Sequence, residues 1–279
     1  MPTNRRRWLL AAAAAGLGGC ASSAHRHEAA SLIGGQPGVL LGEVHDNADG
    51  HALRLAAVDA WLARGARPAI VLEMFDRGDQ AAIDRLQAAR AAPDGRAFVD
   101  AVLAARPAGA SRGGWDWRFY RPFIDRALHL GLPLVAANVG RAEGRALMRD
   151  GLAVHGFEAD VPPDVLAAHT HSIEASHCGH VGADLAARMA LIQVARDQQM
   201  ARAVEAHIDR GVLLLAGNGH VRTDVGVPRW LSPAARARCQ AIGVLEAGDT
   251  TTAYDRIVHV PAARRADPCA SMRPPQRSG

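Results

Sequence analysis

Short apolar runs recur along this chain, and each ends in a polar cluster. VLL (39–41) leads into Gly42-Glu43-Val44-His45, and AIVL (69–72) leads into Glu73. PLVAA (133–137) ends at Asn138, and GVLLLAG (211–217) ends at Asn218-Gly219-His220. Continuous apolar runs between helical stretches read as buried parallel strands. They predict strands at 39–43, 69–73, 133–137 and 212–216, with further β-like segments at 240–246 and 253–260. Helical periodicity fills the intervals. Leu55, Val58 and Leu62 share one face of a helix over 50–64, which Asn47 or Asp49 can cap and Gly65 can end. Pro93-Asp94-Gly95 separates helices at 78–91 and 95–105, another helix ends near Leu130, and a further one covers 141–149.

A long helix over 183–209 carries Leu185, Met189, Ile192, Met200, Val204 and Ile208 in its apolar stripe. Arg196 falls in that stripe, beside Gln193 and Asp197, either as a rim charge or as a group aimed at a site. Residues 151–183, with Pro162-Pro163 and five histidines, look less regular. The pattern describes an α/β fold: a mostly parallel central sheet flanked by helices, with a small helical subdomain. In such sheets ligands bind beyond the carboxyl ends of the strands. Glu43, His45, Glu73 and His220 are therefore expected to meet there.

The first twenty residues indicate export. Arg5-Arg6-Arg7 precedes an apolar stretch, residues 8–19, that is shorter than the roughly 20 residues a membrane helix needs. The stretch closes on Leu17-Gly18-Gly19-Cys20, which resembles a bacterial lipobox, with Cys20 as the lipidated residue. A simple cleaved signal peptide with an incidental Cys is the blander reading. The paired arginines resemble a twin-arginine export signal, and Ala21 after the Cys favours the outer membrane. The expected organisation is a signal peptide at 1–19, a tether at 20–37 and an α/β domain at 38–261. An Arg-, Pro- and Ser-rich tail at 262–279 reads as disordered. The expected location is the bacterial cell envelope, with the chain lipid-anchored.

Charge then loses much of its weight. The formal net charge is +4 and every fixed cation is Arg; without the three leader arginines, 29 basic side chains face 28 acidic ones. Neither that balance nor any basic, aromatic-rich segment suggests nucleic acid. Beyond Cys20 only Cys178, Cys239 and Cys269 remain, which allows one disulfide and one free thiol with the pairing open. No CxxC supports a structural zinc site. The glycine-rich turns match neither a P-loop nor a dinucleotide fingerprint, and no GxSxG is present.

Two carboxylates and two imidazoles at strand ends can hold a divalent transition metal, work as general acid and base, or form a buried hydrogen-bonded network. Spacing does not choose among these. Trp115, Trp117, Phe119, Tyr120 and Phe123 crowd into nine residues, as helix packing or as the wall of a flat ligand's slot.

Several motifs together resemble a family. GEVHDN (42–47), VLEMF (71–75), His177-Cys178-Gly179, the pattern Gln193 to Ala201 around Arg196-Asp197, and GNGHVRTDVGVPRWL (217–231) look like the ChaN-like haem-binding lipoproteins. Their superfamily includes the Tiki proteases, the TraB/PrgY proteins and the erythromycin esterases. The resemblance spans roughly 38–260 and implies an α/β domain that binds haem, with a homodimer interface as one location, in bacterial iron acquisition. It implies a tyrosine ligand, but neither Tyr120 nor Tyr254 lies on a matching motif. His177, His180 and His220 stand as axial candidates, with Arg196 among the arginines able to hold propionates. The same resemblance carries a rival, a metal-dependent hydrolase in which Glu43, His45, Glu73 and His220 bind a divalent ion and activate water. A third reading is a scaffold with a satisfied core network.

Overall fold

The structure is a computed structural model that describes residues 28–108, 114–267 and 269–270. The leader, the lipobox with Cys20, and the first part of the tether, including His25 and His27, lie outside the described residues, as does the end of the tail.

Six strands form one parallel sheet in the order β3-β2-β4-β1-β5-β6. They are β1 (Gly38–Leu41), β2 (Ala69–Asp76), β3 (Leu134–Asn138), β4 (Val212–Leu215), β5 (Cys239–Glu246) and β6 (Arg256–Val260). The central strands are buried along their whole length, so their residues are apolar on both faces rather than alternating. Leu41 and Leu72 both pair with Leu215, so the chains of β1, β2 and β4 leave the sheet at one level. That register brings Glu43, Glu73 and Gly217 to the same edge.

Helices cover both faces. On one side Val39, Leu41, Ile70, Leu72, Leu213 and Leu215 pack against α1 (Ala48–Ala63), α2 (Gln80–Ala89), α3 (Gly95–Ala104) and α4 (Trp117–Leu130). On the other, Leu40, Val71 and Leu214 face α7 (Ala183–His207) through Met200, Ala201 and Val204. Asn47 caps α1 by accepting from the Gly50 N–H at 2.8 Å, and Gly65 follows the helix in the left-handed region. The expected helical subdomain is α5 (Arg141–Asp150) and α6 (Pro163–Ser176) packed on α7, with small cores around Leu147, Val165 and Val194 and around Ile173, Ala186 and Ala190. The irregular stretch expected over 151–183 thus contains a regular helix, α6. Its few buried positions, Val165, His169 and Ile173, repeat every four residues among polar neighbours.

Beyond β6 the chain is held rather than loose. Arg265 reaches Asp46 at 2.7 and 3.0 Å and Glu246 at 2.7 and 2.8 Å, and the Ala263 N–H donates to Glu246 at 2.9 Å. Cys269 is disulfide-bonded to Cys178 at the tip of the α6–α7 hairpin, and Cys239 is a buried free thiol. No helix among the described residues is long and apolar enough to cross a membrane.

Candidate functional site

Two short glycine contacts shape the carboxyl edge. A Cβ on Gly42 would lie 2.2 Å from Asn218 Oδ1 and 2.7 Å from Val221, so only glycine lets the turn after β4 pass against β1. A Cβ on Gly217 would lie 3.0 Å from the His45 ring. The Gly217 N–H also donates to Glu73 Oε2 at 2.8 Å. The expected convergence of Glu43, His45, Glu73 and His220 is therefore present, but as two separate hydrogen-bonded groups.

The first group surrounds Glu43, which is 2% exposed. Its Oε2 accepts from Arg54 Nη1, and its Oε1 accepts from the Tyr120 hydroxyl at 2.5 Å and from His45 Nδ1 at 2.8 Å. Burial opposes ionisation of Glu43, but Arg54, His45, His51 and Tyr120 hold its pKa below the usual value. Arg54 is itself fully buried, donates to the Leu41 carbonyl at 3.2 Å and lies over the Phe123 ring. His51 Nε2 donates to the His45 carbonyl at 3.1 Å and its Nδ1 accepts from Arg54 at 3.2 Å. Burial and the neighbouring guanidinium push the His51 pKa down, in keeping with that neutral tautomer. The His45 side chain, by contrast, is 53% exposed. Its Nδ1 hydrogen is committed to Glu43, which leaves Nε2 as the nitrogen with a lone pair. Partial burial works against protonation of His45, but the hydrogen bond to Glu43 and the charge of Glu73 raise its pKa.

The second group is closed. His220 Nδ1 donates to Asp197 Oδ1 at 2.6 Å and Nε2 lies 3.5 Å from Glu73 Oε1. Asp197 is fully buried and its other oxygen is 3.2 Å from His169 Nε2. Burial disfavours a charged imidazole, yet Glu73 and Asp197 raise the His220 pKa to about 10. Burial likewise opposes ionisation of Glu73, which His220, His45 and the Gly217 N–H nevertheless lower to about 2. His220 is thus the counter-ion of two carboxylates, with both ring nitrogens engaged.

This arrangement bears on three expectations. Both ring nitrogens of His220 face carboxylates, so in this geometry it presents no free lone pair to haem or a metal. No group of three or more His, Cys, Asp or Glu among the described residues is placed to hold a metal, so a divalent ion is not supported. The hydrolase alternative loses its water-activating carboxylate, because Glu43 and Glu73 are both spent on charge partners.

A cleft of about 590 Å³ opens beside the first group. Its lining includes His45, Trp115, Phe119 and Tyr120 together with Asp76, Arg106, Asn138, Gly140, Arg141 and Arg196. The His45 and Trp115 rings meet edge to face at 4.8 Å, and Trp115 meets Tyr120 at 5.6 Å. The aromatic cluster thus forms both a packed helix start and a wall.

Other candidate residues fall elsewhere. His177 and His180 flank the disulfide at the hairpin tip, and neither lines the cleft; His177 Nδ1 donates to the Ile173 carbonyl at 2.8 Å. Tyr254 lies against Gly243 and its hydroxyl donates to the Asn218 carbonyl at 3.3 Å. Tyr120 reaches the cleft, but its hydroxyl is tied to Glu43, and burial together with that carboxylate raises its pKa, which keeps it protonated. Arg54 and His51 are site residues that periodicity did not single out. Their signal was two polar side chains on the buried stripe His51, Arg54, Val58, Trp61 of α1, the same signal that marked Arg196.

The pattern of the haem-binding uptake family, described as Tiki superfamily, ChaN, matches residues 31–231. Among solved structures, this fold is similar to that of the Campylobacter jejuni protein titled cofacial haem binding to ChaN. The TM-score is 0.64 at 18% identity, over 80% of this chain and 86% of that one. The RRSP effector domain of a Vibrio vulnificus MARTX toxin matches at a TM-score of 0.43 and 16% identity, over 79% of this chain and 35% of that one. No curated protein matches the sequence.

Proposed function

Because the chain belongs to the haem-binding uptake family of the Tiki superfamily, ChaN, we propose that it binds haem in the cleft beside His45, with His45 Nε2 as the axial donor. One observation carries this reading: of the two strand-end imidazoles, His45 is the one left half-exposed, oriented through Nδ1 by a buried carboxylate whose charge Arg54 already balances. Ligating histidines commonly donate their other N–H to a carboxylate in this way, which fixes the ring and strengthens the donor. The cleft supplies an aromatic wall and cationic side chains, which suit the apolar disc and acidic edge of a porphyrin. Haem is cargo in this reading, taken up in iron acquisition by a protein held through a lipid on Cys20 at the outer membrane of the cell envelope. The leader sequence supports that placement. Cofacial haem binding is the arrangement carried over from the name of the Campylobacter protein, and a homodimer is the assembly that would suit it.

Haemin titration of the full chain tests the reading. The expected result is a saturable Soret band with the signature of histidine ligation, changed in His45→Ala and kept in His177→Ala and His180→Ala. No saturable band for the native chain, or one that His45→Ala leaves untouched, overturns it.

A further inference from the structure

The chain beyond β6 is fastened along the carboxyl edge of the sheet. All six strands are parallel, so β6 ends on the same edge as the site. There Asn47 Nδ2 donates to the Pro261 carbonyl at 2.9 Å, and the Ala263 N–H donates to Glu246 at 2.9 Å. Arg265 then bridges Glu246, at the end of β5, to Asp46, in the loop after β1. The far end is covalent, because Cys269 is bonded to Cys178.

Helix length sets the height of that last anchor. α7 has 25 residues and spans about 37 Å, whereas the eight residues of β2 cover roughly 26 Å. His207 ends α7 shortly before Val212 opens β4, so the helix finishes at the amino edge. Its second half packs on the sheet through Met200, Ala201 and Val204. Its first half, with Ala186 and Ala190, packs on Ile173 of α6 instead. The α6–α7 turn with Cys178 therefore stands beyond the carboxyl edge, on the side where the cleft opens.

Asp46 ties this segment to the cleft, which it lines directly after His45. Arg265 takes both of its oxygens, at 2.7 and 3.0 Å. Both side chains are exposed, and exposed ion pairs hold weakly by themselves. With Cys269 bonded, Arg265 lies four residues from a covalent anchor and meets its carboxylates at high effective concentration. Cys239 is buried at the start of β5, on the opposite edge, and takes no part in exchange at this bond.

We propose that residues 261–269 form a redox-sensitive strap: the disulfide state holds the Asp46 rim of the cleft, and reduction of Cys178–Cys269 by a dithiol frees that rim and speeds exchange of the bound porphyrin. In that step the S–S bond breaks, each cysteine gains a hydrogen as a thiol, and the dithiol is oxidised to its own disulfide. The strap is a property of the fold; its effect on porphyrin exchange rests on the haem reading.

The test takes the full chain, oxidised or treated with dithiothreitol under native conditions, through two measurements. Amide hydrogen exchange at residues 44–47 and 262–267 reads the strap without haem, and release of haemin to excess apomyoglobin reads the cleft. Reduction is expected to speed amide exchange in both segments and haemin release roughly two- to fivefold. Arg265→Gln should do the same at 44–47 and in haemin release while oxidised. The double variant Cys178→Ser, Cys269→Ser should match the reduced native chain and ignore dithiothreitol. Unchanged exchange at 44–47 on reduction overturns the strap. So does an equal rise across β1 and β4, which would mean that the whole fold had loosened. Faster amide exchange with unchanged haemin release overturns the strap's hold on the cleft. Failure of the native chain to bind haemin overturns the porphyrin half of the proposal, and exchange at 44–47 still decides the strap.

Discussion

Glu43 and Glu73 leave neighbouring strands of one sheet at the same edge, and each has a histidine beside it. The two histidines nonetheless have opposite fates. Beside Glu43, a fully buried arginine carries the compensating charge, and His45 stays half-exposed with one nitrogen uncommitted. Beside Glu73 no arginine pairs with the carboxylate among the described residues, a second carboxylate crowds in from α7, and His220 becomes the counter-ion. What decides whether a strand-end histidine can serve as a ligand is the identity of its carboxylate's counter-ion. The proton follows the missing charge.

The sharpest way to break this contrast is to remove the imidazolium. His220→Gln leaves Glu73 and Asp197 buried with no cation between them, and is expected to lower unfolding free energy by about 3–5 kcal/mol in urea titrations. A loss below about 1 kcal/mol would mean that the pair is not charged as described. Arg54→Gln ranks next, at about 3 kcal/mol, because Glu43 then has no fixed cation. It should also convert the first group into the second. His45 takes over as counter-ion, holds its proton to higher pH, and iron ligation followed by the Soret band begins at higher pH than in the native chain.

A smaller effect concerns pH. The His220 pKa is raised from 6.5 to about 10, so its contribution to stability is complete below about 6.5 and is lost as pH rises through about 10. Between those limits one proton accounts for at most about 1.4 kcal/mol per pH unit. The Glu73 shift runs the other way: its contribution is present above about 4.5 and lost as pH falls toward about 2. Urea midpoints measured from pH 7 to 9 should therefore fall for the native chain and stay flatter for His220→Gln. The smallest change in stability is expected of His45→Ala, within about 1 kcal/mol, since the side chain is half in solvent. A large destabilisation by His45→Ala would make His45 a structural residue and end the contrast.

Much of this molecule was legible before its fold. Parallel strands buried on both sides must be continuous apolar runs, and those runs marked β1, β2, β3 and β4 to within a few residues. The convergence of Glu43, His45, Glu73 and His220 followed from where the runs end. The division of labour did not. It depends on Arg54 arriving from α1 and Tyr120 from α4, and no local periodicity encodes which side chains of separate helices meet over a strand end. Helix α6 was hidden because it buries only a thin stripe and its histidines and prolines resemble a loop. The partner of Cys178 was undetermined for a related reason: three thiols allow three pairings, and the fold selects the one that joins the hairpin tip to the C-terminal strand extension.

That cross-link has a consequence beyond the native contacts. Its sulfurs belong to residues 91 positions apart, and the loop it closes contains β4, β5 and β6 with the turn that carries Gly217 and His220. In the chain-entropy account, closing so long a loop removes roughly 4–5 kcal/mol worth of disorder from the unfolded chain. Oxidation thus acts on the ensemble that precedes the fold, confining half of the sheet to a tethered search. In a thiol-reducing solution the same half must find its register as open polymer, and this protein's margin of stability becomes a property of its surroundings as well as of its sequence.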